Sequence, residues 1–130
     1  MGILQSAPGY DTVVVSDDKD LLGVPGQVLR PMKDEIHDVS LAEADSWFLT
    51  QCLIGDSTDG YPGLPGTGPK KAEKVLGNHP SWEQVAQAYI KGGLTREDAL
   101  VQSRCARILR WDDWDQAKNE MILWSPAHAN

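Results

Sequence analysis

Val13-Val14-Val15 is an unbroken β-branched run, bounded upstream by Gly9 and downstream by Asp17 and Asp18. Such a run predicts a strand buried on both faces. After a turn-rich stretch at 23–26, Gln27-Val28-Leu29-Arg30 predicts a second short strand that ends at Pro31. The period then changes. Ser40-Leu41-Ala42-Glu43 is a capping box, and the apolar positions after it, Trp47, Phe48, Cys52 and Leu53, continue a helix to Gly55. A helix over 69–76 has Pro69 at its first position and Gly77 as its stop. Ser81-Trp82-Glu83-Gln84 caps another, running to about Lys91 before Gly92-Gly93, and Thr95-Arg96-Glu97-Asp98 opens one carrying Ala99, Leu100, Ala106, Ile108 and Leu109. The stretch 111–124 is open between helix and strand, and fraying is expected from Pro126 onward.

This order predicts an α/β remnant, one or two strands of a mostly parallel sheet, followed by a mostly α-helical region containing a helix-hairpin-helix module. It divides into 1–35 with the strands, 36–77 with the hairpin between helices, and 78–130 as a C-terminal helical region. One strand with one partner cannot make an α/β sheet, which needs neighbours and cover on both faces. The missing neighbours are expected upstream of Met1.

The window from Gly55 to Ala72 concentrates the candidate chemistry. Asp56 and Asp59 are three apart, which on one helical turn would face them the same way, and hard divalent cations take clustered carboxylate oxygens. Gly63, Gly66, Thr67 and Gly68 then lead into Pro69-Lys70-Lys71, with Lys74 one turn on. A helix opening after such a hairpin offers free N–H groups and a positive dipole end to a phosphate. The competing reading is a tight turn between two helices with no ligand. Asp18-Lys19-Asp20 follows the first strand; i and i+2 on an extended segment share a face and would hold a metal at the sheet edge. Aspartates there also serve as turn formers or caps. Other motifs fail. An EF-hand starting at Asp18 would need oxygen ligands at Leu22 and Leu29; a Walker loop needs Lys and then Ser or Thr where Pro69 and Lys71 stand; a dinucleotide fingerprint needs a third glycine at Lys71.

Composition narrows the partners. A net charge of -7 over 130 residues argues against a general nucleic-acid coat, so local clusters must carry any DNA binding. Lys70, Lys71 and Lys74 form one such cluster, and Arg104, Arg107 and Arg110 a second. Cys52 and Cys105 stand far apart without a metal or disulfide pattern. Nothing predicts a membrane span or secretory signal, and Met1 to Ser6 matches the loose myristoylation pattern only by chance, so a cytoplasmic protein is expected. The five tryptophans read as packing residues, and His37, His79 and His128 show no ligand spacing.

Taken together, Val13 to Leu22, Leu53 to Gly63 and the Gly-x-Gly-Pro-Lys-Lys hairpin resemble the 5′-nuclease superfamily, which includes flap endonucleases and the nuclease domain of DNA polymerase I. The likeness is strongest to the 5′-to-3′ exonucleases of short-tailed phages, extends over about 11–126, and takes in the 99–110 helix and Ile122-Leu123-Trp124-Ser125-Pro126. It implies that Asp18, Asp20, Asp56 and Asp59 are catalytic carboxylates of a centre holding two Mg2+ or Mn2+ ions. It implies that Gly63, Gly66, Thr67, Gly68, Lys70, Lys71 and Lys74 grip duplex DNA at a 5′ end, nick or flap, with K+ on the hairpin carbonyls. In the family a Glu-x-Asp-Asp cluster and a basic arch precede this strand. Glu43-Ala44-Asp45 lies on the wrong side of Asp18 to stand for that cluster. The resemblance therefore implies the C-terminal portion of a nuclease, inactive or poorly active alone: either one piece of a split enzyme, with an N-terminal nuclease polypeptide as partner, or a truncated gene product. A phage-encoded protein would act in the bacterial host's cytoplasm. The alternative is a non-catalytic helix-hairpin-helix DNA-binding module.

Overall fold

The computed structural model describes residues 2–8 and 12–126. In chain order its elements are α1 (Gly2–Ser6), β1 (Val13–Val15), β2 (Gly26–Arg30), β3 (Glu35–Val39), α2 (Leu41–Ile54), α3 (Pro69–Leu76), α4 (Trp82–Lys91), α5 (Arg96–Ala106), β4 (Trp114–Asp115) and β5 (Glu120–Met121). Two compact units emerge: Met1–Asp45 with Ile108–Leu123, and Ser46–Arg107 with Trp124–Asn130.

The first unit is built on a sheet of order β1-β2-β3, with β1 parallel to β2 and β3 antiparallel to it. Val14 pairs with Val28 across the parallel register, and these two with Leu21, Val39 and Ala44 form the core on one face. Here the structure corrects the sequence: β1 is not buried on both faces, because Val13 and Val15 turn to the opposite, exposed face. A third strand, β3, also escaped prediction. Four of its five residues are exposed or half-buried, so it lacks an apolar run, and the chain reaches it through a turn at Pro31–Lys33 closed by Asp34 in the left-handed region.

The return segment from Ile108 is pinned by Arg110. Its guanidinium donates from Nε and Nη2 to the Gly23 carbonyl (3.0 and 2.8 Å) and from Nη1 to the Asp45 carboxylate (2.6 Å). Trp111 N–H donates to Ser6 Oγ at 2.7 Å. The ambiguous tail resolves into a turn at Trp111–Asp113 and the small β4–β5 hairpin. Helix α5 stops at Ala106, so Ile108 and Leu109 lie beyond it.

In the second unit the core gathers Phe48, Leu49, Cys52, Leu53, Leu64, Leu76, Trp82, Val85, Tyr89 and Trp124, with Trp124 edge-on to Phe48 at 5.0 Å. The capping boxes at Ser81 and Thr95 form as the sequence predicts. Three of the last four carbonyls of α2, which a helix leaves without partners of its own, have partners beyond the helix or at its end. Gly55 N–H donates to Gln51, the buried Tyr89 hydroxyl to Cys52 at 2.6 Å, and Leu64 N–H to Leu53 at 2.9 Å. The end of α2 thereby holds both α4, through Tyr89, and the loop after α2, through Leu64.

Candidate functional site

Helix α2 ends because Gly55 adopts φ +75°, a conformation that favours glycine. Asp56 and Asp59 therefore do not share a helical turn as expected; they sit in a tight reversal beyond the helix. Asp56 and Tyr61 exchange backbone hydrogen bonds of 2.8 and 3.1 Å, and Asp56 Oδ1 accepts from the N–H groups of Thr58 (2.9 Å) and Asp59 (3.3 Å). A carboxylate oxygen of each nevertheless lies within 4.8 Å of the other. Asp56 is buried and Asp59 exposed, so the cluster opens to solvent on one side.

The chain then crosses itself. A Cβ on Gly55 would lie 2.3 Å from the Pro62 carbonyl carbon, and one on Gly63, itself at φ +66°, would lie 2.5 Å from the Gly55 nitrogen. Only two glycines allow this backbone contact. Gly63 N–H donates to Gln102 Oε1 on α5 at 2.9 Å, a buttress that local sequence did not reveal. Its one signal is that Ala99, Gln102, Ser103 and Ala106 fall on one helical face.

Beyond the crossing, Leu64, Pro65 and Gly66 turn the chain, with Gly66 at φ +80° and Thr67 N–H donating to Leu64 at 3.2 Å. Thr67 is 8% exposed and its Oγ1 has no hydrogen-bond partner among the described residues. Gly68 is the N-cap of α3 and supplies no side-chain cap, and Pro69 follows. Nothing lies within 4 Å of a Cβ built on either Gly66 or Gly68. The helix thus begins with open space beside its backbone at Gly66 and Gly68. Lys70, Lys71 and Lys74 are all exposed, and Lys70 and Lys74 line an open recess of about 330 Å³ with Glu73, Gly77 and Asn78.

The other carboxylate pair belongs to the first unit. The chain does not stay extended through Asp18-Lys19-Asp20: Asp18 is the N-cap of a turn at Lys19–Gly23, and its Oδ1 accepts from Asp20 N–H at 3.0 Å. The capping use that sequence left open is therefore present. Asp17 braces the neighbouring strand, its carbonyl accepting from Arg30 Nη2 and its Oδ1 from Met32 N–H, both at 3.0 Å.

The second basic cluster has partners within the fold. Arg110 bonds Gly23 and Asp45, Arg104 Nε donates to the Trp124 carbonyl at 3.0 Å, and Arg107 lies over the Phe48 ring at 5.0 Å. Arg104 nevertheless stays exposed, as the α3 lysines do. Cys52 is buried, and burial pushes its thiol up to about 12, so it is chemically inert at neutral pH.

Sequence comparison adds independent support. The chain is similar to an exodeoxyribonuclease of Enterobacteria phage T3, 26% identical with 97% of this chain and 54% of the relative covered. It is similar to DNA polymerase I of Rhizobium leguminosarum, 32% identical over 80% of this chain and 11% of that protein. A third relative is a 5′-3′ exonuclease of Aquifex aeolicus, 30% identical over 66% of this chain and 33% of the relative. The chain spans about half the length of the phage relatives it matches. No family model and no solved structure matches it significantly.

Proposed function

We propose that this member of the 5′-nuclease superfamily supplies part of the metal centre and the duplex grip of a 5′-to-3′ exodeoxyribonuclease or flap endonuclease. The observation that carries the reading is the glycine crossing at Gly55 and Gly63, which joins a paired-carboxylate turn to an uncapped, lysine-flanked helix start in one unit. Region 36–77 is then a helix-hairpin-helix module, set between the α/β piece at 1–35 and the helical region at 78–130.

Asp56 and Asp59 would hold a divalent cation, Mg2+ or Mn2+, and Asp18 and Asp20 would complete the catalytic set, as the family likeness implies. Two such ions, when bound by these carboxylates, would supply water activation and stabilisation of the leaving oxygen at a phosphodiester. The chain's own residues do the rest. The Lys70 and Lys71 amides and the α3 dipole meet a backbone phosphate, and Lys70, Lys71 and Lys74 add charge without reading sequence. The unpartnered Thr67 Oγ1 offers an oxygen to K+ at the hairpin. A DNA end, nick or flap is the substrate, and an N-terminal nuclease polypeptide the partner. No described helix is long and apolar enough to cross a membrane. The reading places the action in the cytoplasm, that of the host for a phage product.

The second reading, a DNA-binding module without catalysis, draws on Asp18 and Asp56 both being used as turn caps. Asp56→Asn with Asp59→Asn separates the two, in the chain reconstituted with an N-terminal partner. Mg2+-dependent cleavage should fall at least about 100-fold with duplex affinity retained; unchanged cleavage would sink the nuclease assignment.

A further inference from the structure

Of the twelve glycines in the chain, Gly60 alone follows an aspartate or an asparagine. The fold sets this Asp59–Gly60 pair in the reversal after α2, where residues 57–60 are all exposed. The bonds that close the reversal pass it by. Asp56 Oδ1 accepts from the Thr58 and Asp59 amides, and the Asp56 carbonyl accepts from the Tyr61 amide at 3.1 Å. The peptide between Asp59 and Gly60 has no hydrogen bond at its carbonyl or its amide among the described residues.

Gly60 is also the residue that the turn requires. Its φ of +82° is unfavourable for most side chains, and a Cβ built on it meets nothing within 4 Å. The Gly60 nitrogen is therefore unshielded and unbonded beside a carboxyl on the preceding residue. An amide so placed closes a five-membered ring when it reaches the side-chain carbon, an intramolecular attack governed by how freely the near-attack geometry is reached.

We infer that Asp59–Gly60 is a self-modification site: the folded chain converts Asp59 to isoaspartate through a succinimide, and so becomes a substrate for methyltransferases that esterify isoaspartyl carboxylates. In the first step the Gly60 amide gives its proton to solvent base and its nitrogen bonds to Asp59 Cγ. The Cγ–OH bond of the carboxylic acid breaks, and the hydroxide leaves as water with a solvent proton. One water is lost and nothing is oxidised or reduced. Water then adds at the Asp59 main-chain carbonyl carbon, the bond from that carbon to the Gly60 nitrogen breaks, and the nitrogen regains a proton. The main chain now runs through Cβ and Cγ, one carbon longer, and the free carboxylate stands directly on Cα. The approach of Asp59 and Asp56 oxygens to within 4.8 Å belongs to the unmodified turn, so on the nuclease reading the metal centre ages at this residue.

The full chain is held at neutral pH and physiological temperature and sampled over weeks. Electron-transfer fragmentation locates isoaspartate, and a labelled methyl group transferred from S-adenosylmethionine by an isoaspartyl methyltransferase counts it. A synthetic peptide of residues 55–63 sets the clock. Because an exposed turn without a bond across the reacting peptide opens at little cost, the chain should convert Asp59 within about tenfold of the peptide's rate, through an intermediate lighter by one water. Asp56, buried in the same turn with its carboxylate bonded, should remain unmodified. Gly60→Asn keeps a residue that tolerates the left-handed region and puts a side chain beside the reacting nitrogen. It should melt near the parent and slow conversion at Asp59 by about tenfold or more. Slower conversion in the parent chain than the peptide allows, or equal rates in the parent and Gly60→Asn, would overturn the proposal. Cleavage plays no part in these readouts, so a failed nuclease assignment leaves them standing.

Discussion

Gly68→Ala and Gly63→Ala make a paired test of the hairpin, because the two glycines are needed for different reasons. Gly68 has an ordinary backbone (φ −96°), and a Cβ there meets no protein atom within 4 Å. The fold should lose about 0.5–1 kcal/mol for a poorer N-cap, a fall of a few degrees in melting temperature. Gly63 sits at φ +66°, and its Cβ would overlap the Gly55 nitrogen at 2.5 Å. The left-handed backbone alone costs about 1–2 kcal/mol in an L-residue, and a backbone overlap that cannot relax brings the total beyond about 3 kcal/mol. Binding should run the other way. A methyl at the mouth of α3 holds a phosphate off the Lys70 and Lys71 amides, and losing one charge-assisted hydrogen bond of about 1.5–3 kcal/mol weakens affinity roughly 10- to 100-fold. The assays are thermal unfolding and fluorescence anisotropy with a nicked duplex over a salt series. If all three α3 lysines neutralise phosphates, log K should fall against log salt with a slope of about −3 in the parent. A Gly68→Ala protein that melts near the parent and binds DNA within twofold of it would refute the helix-start grip.

Tyr89→Phe removes the hydroxyl that satisfies the Cys52 carbonyl at 2.6 Å; urea unfolding should show a loss of about 1–3 kcal/mol with an unchanged m value. Acid stability should depend on Glu83, whose carboxyl is held down to about 2 first by the Arg96 guanidinium and then by Gln87. A carboxyl depressed on folding stabilises above its unfolded value near 4.5 and loses that contribution as pH falls toward 2, so Glu83→Gln should flatten the stability curve across that window and leave it unchanged in shape above it. Thiol labelling at pH 8 should modify the exposed Cys105 rapidly and Cys52 only at the rate of unfolding; equal rates would contradict the packing of α2.

Helix boundaries were legible because capping residues act locally: Ser40, Ser81 and Thr95 each bond within three residues of themselves. The strands were legible only where apolar residues run together, which is why β2 could be read and the polar β3 could not. The candidate carboxylates were found by type and spacing, yet their geometry was misjudged. Spacing of three suggests a helical turn, while Gly55 at φ +75° ends the helix one residue before Asp56. The contacts of Arg104, Arg107 and Arg110 were hidden for the opposite reason: charge counts at short spacing carry no information about the distant Trp124 carbonyl, Phe48 ring and Gly23 carbonyl that these side chains meet. Gln102 was invisible because its partner, Gly63, is 39 residues away.

What the crossing at Gly55 and Gly63 adds is a fixed separation between carboxylates and grip. The Asp56 turn is anchored on one side by the end of α2 and on the other by its paired bonds to Tyr61, while the hairpin is anchored by Leu64 to Leu53 and Gly63 to Gln102. Both therefore hang from the end of α2, the hairpin being tied to α5 as well, and neither can move along the chain without breaking a hydrogen bond worth about 1 kcal/mol. For an enzyme acting at a set distance from a held phosphate, that rigidity converts binding into positioning, since a displacement of about 1 Å at the reacting bond costs roughly 100-fold in rate. A module that only binds has no such requirement. Lengthening the turn by one glycine between Ser57 and Thr58 should therefore leave duplex affinity within about twofold while cleavage by the reconstituted nuclease falls about 100-fold; equal cleavage would mean that the crossing serves folding alone.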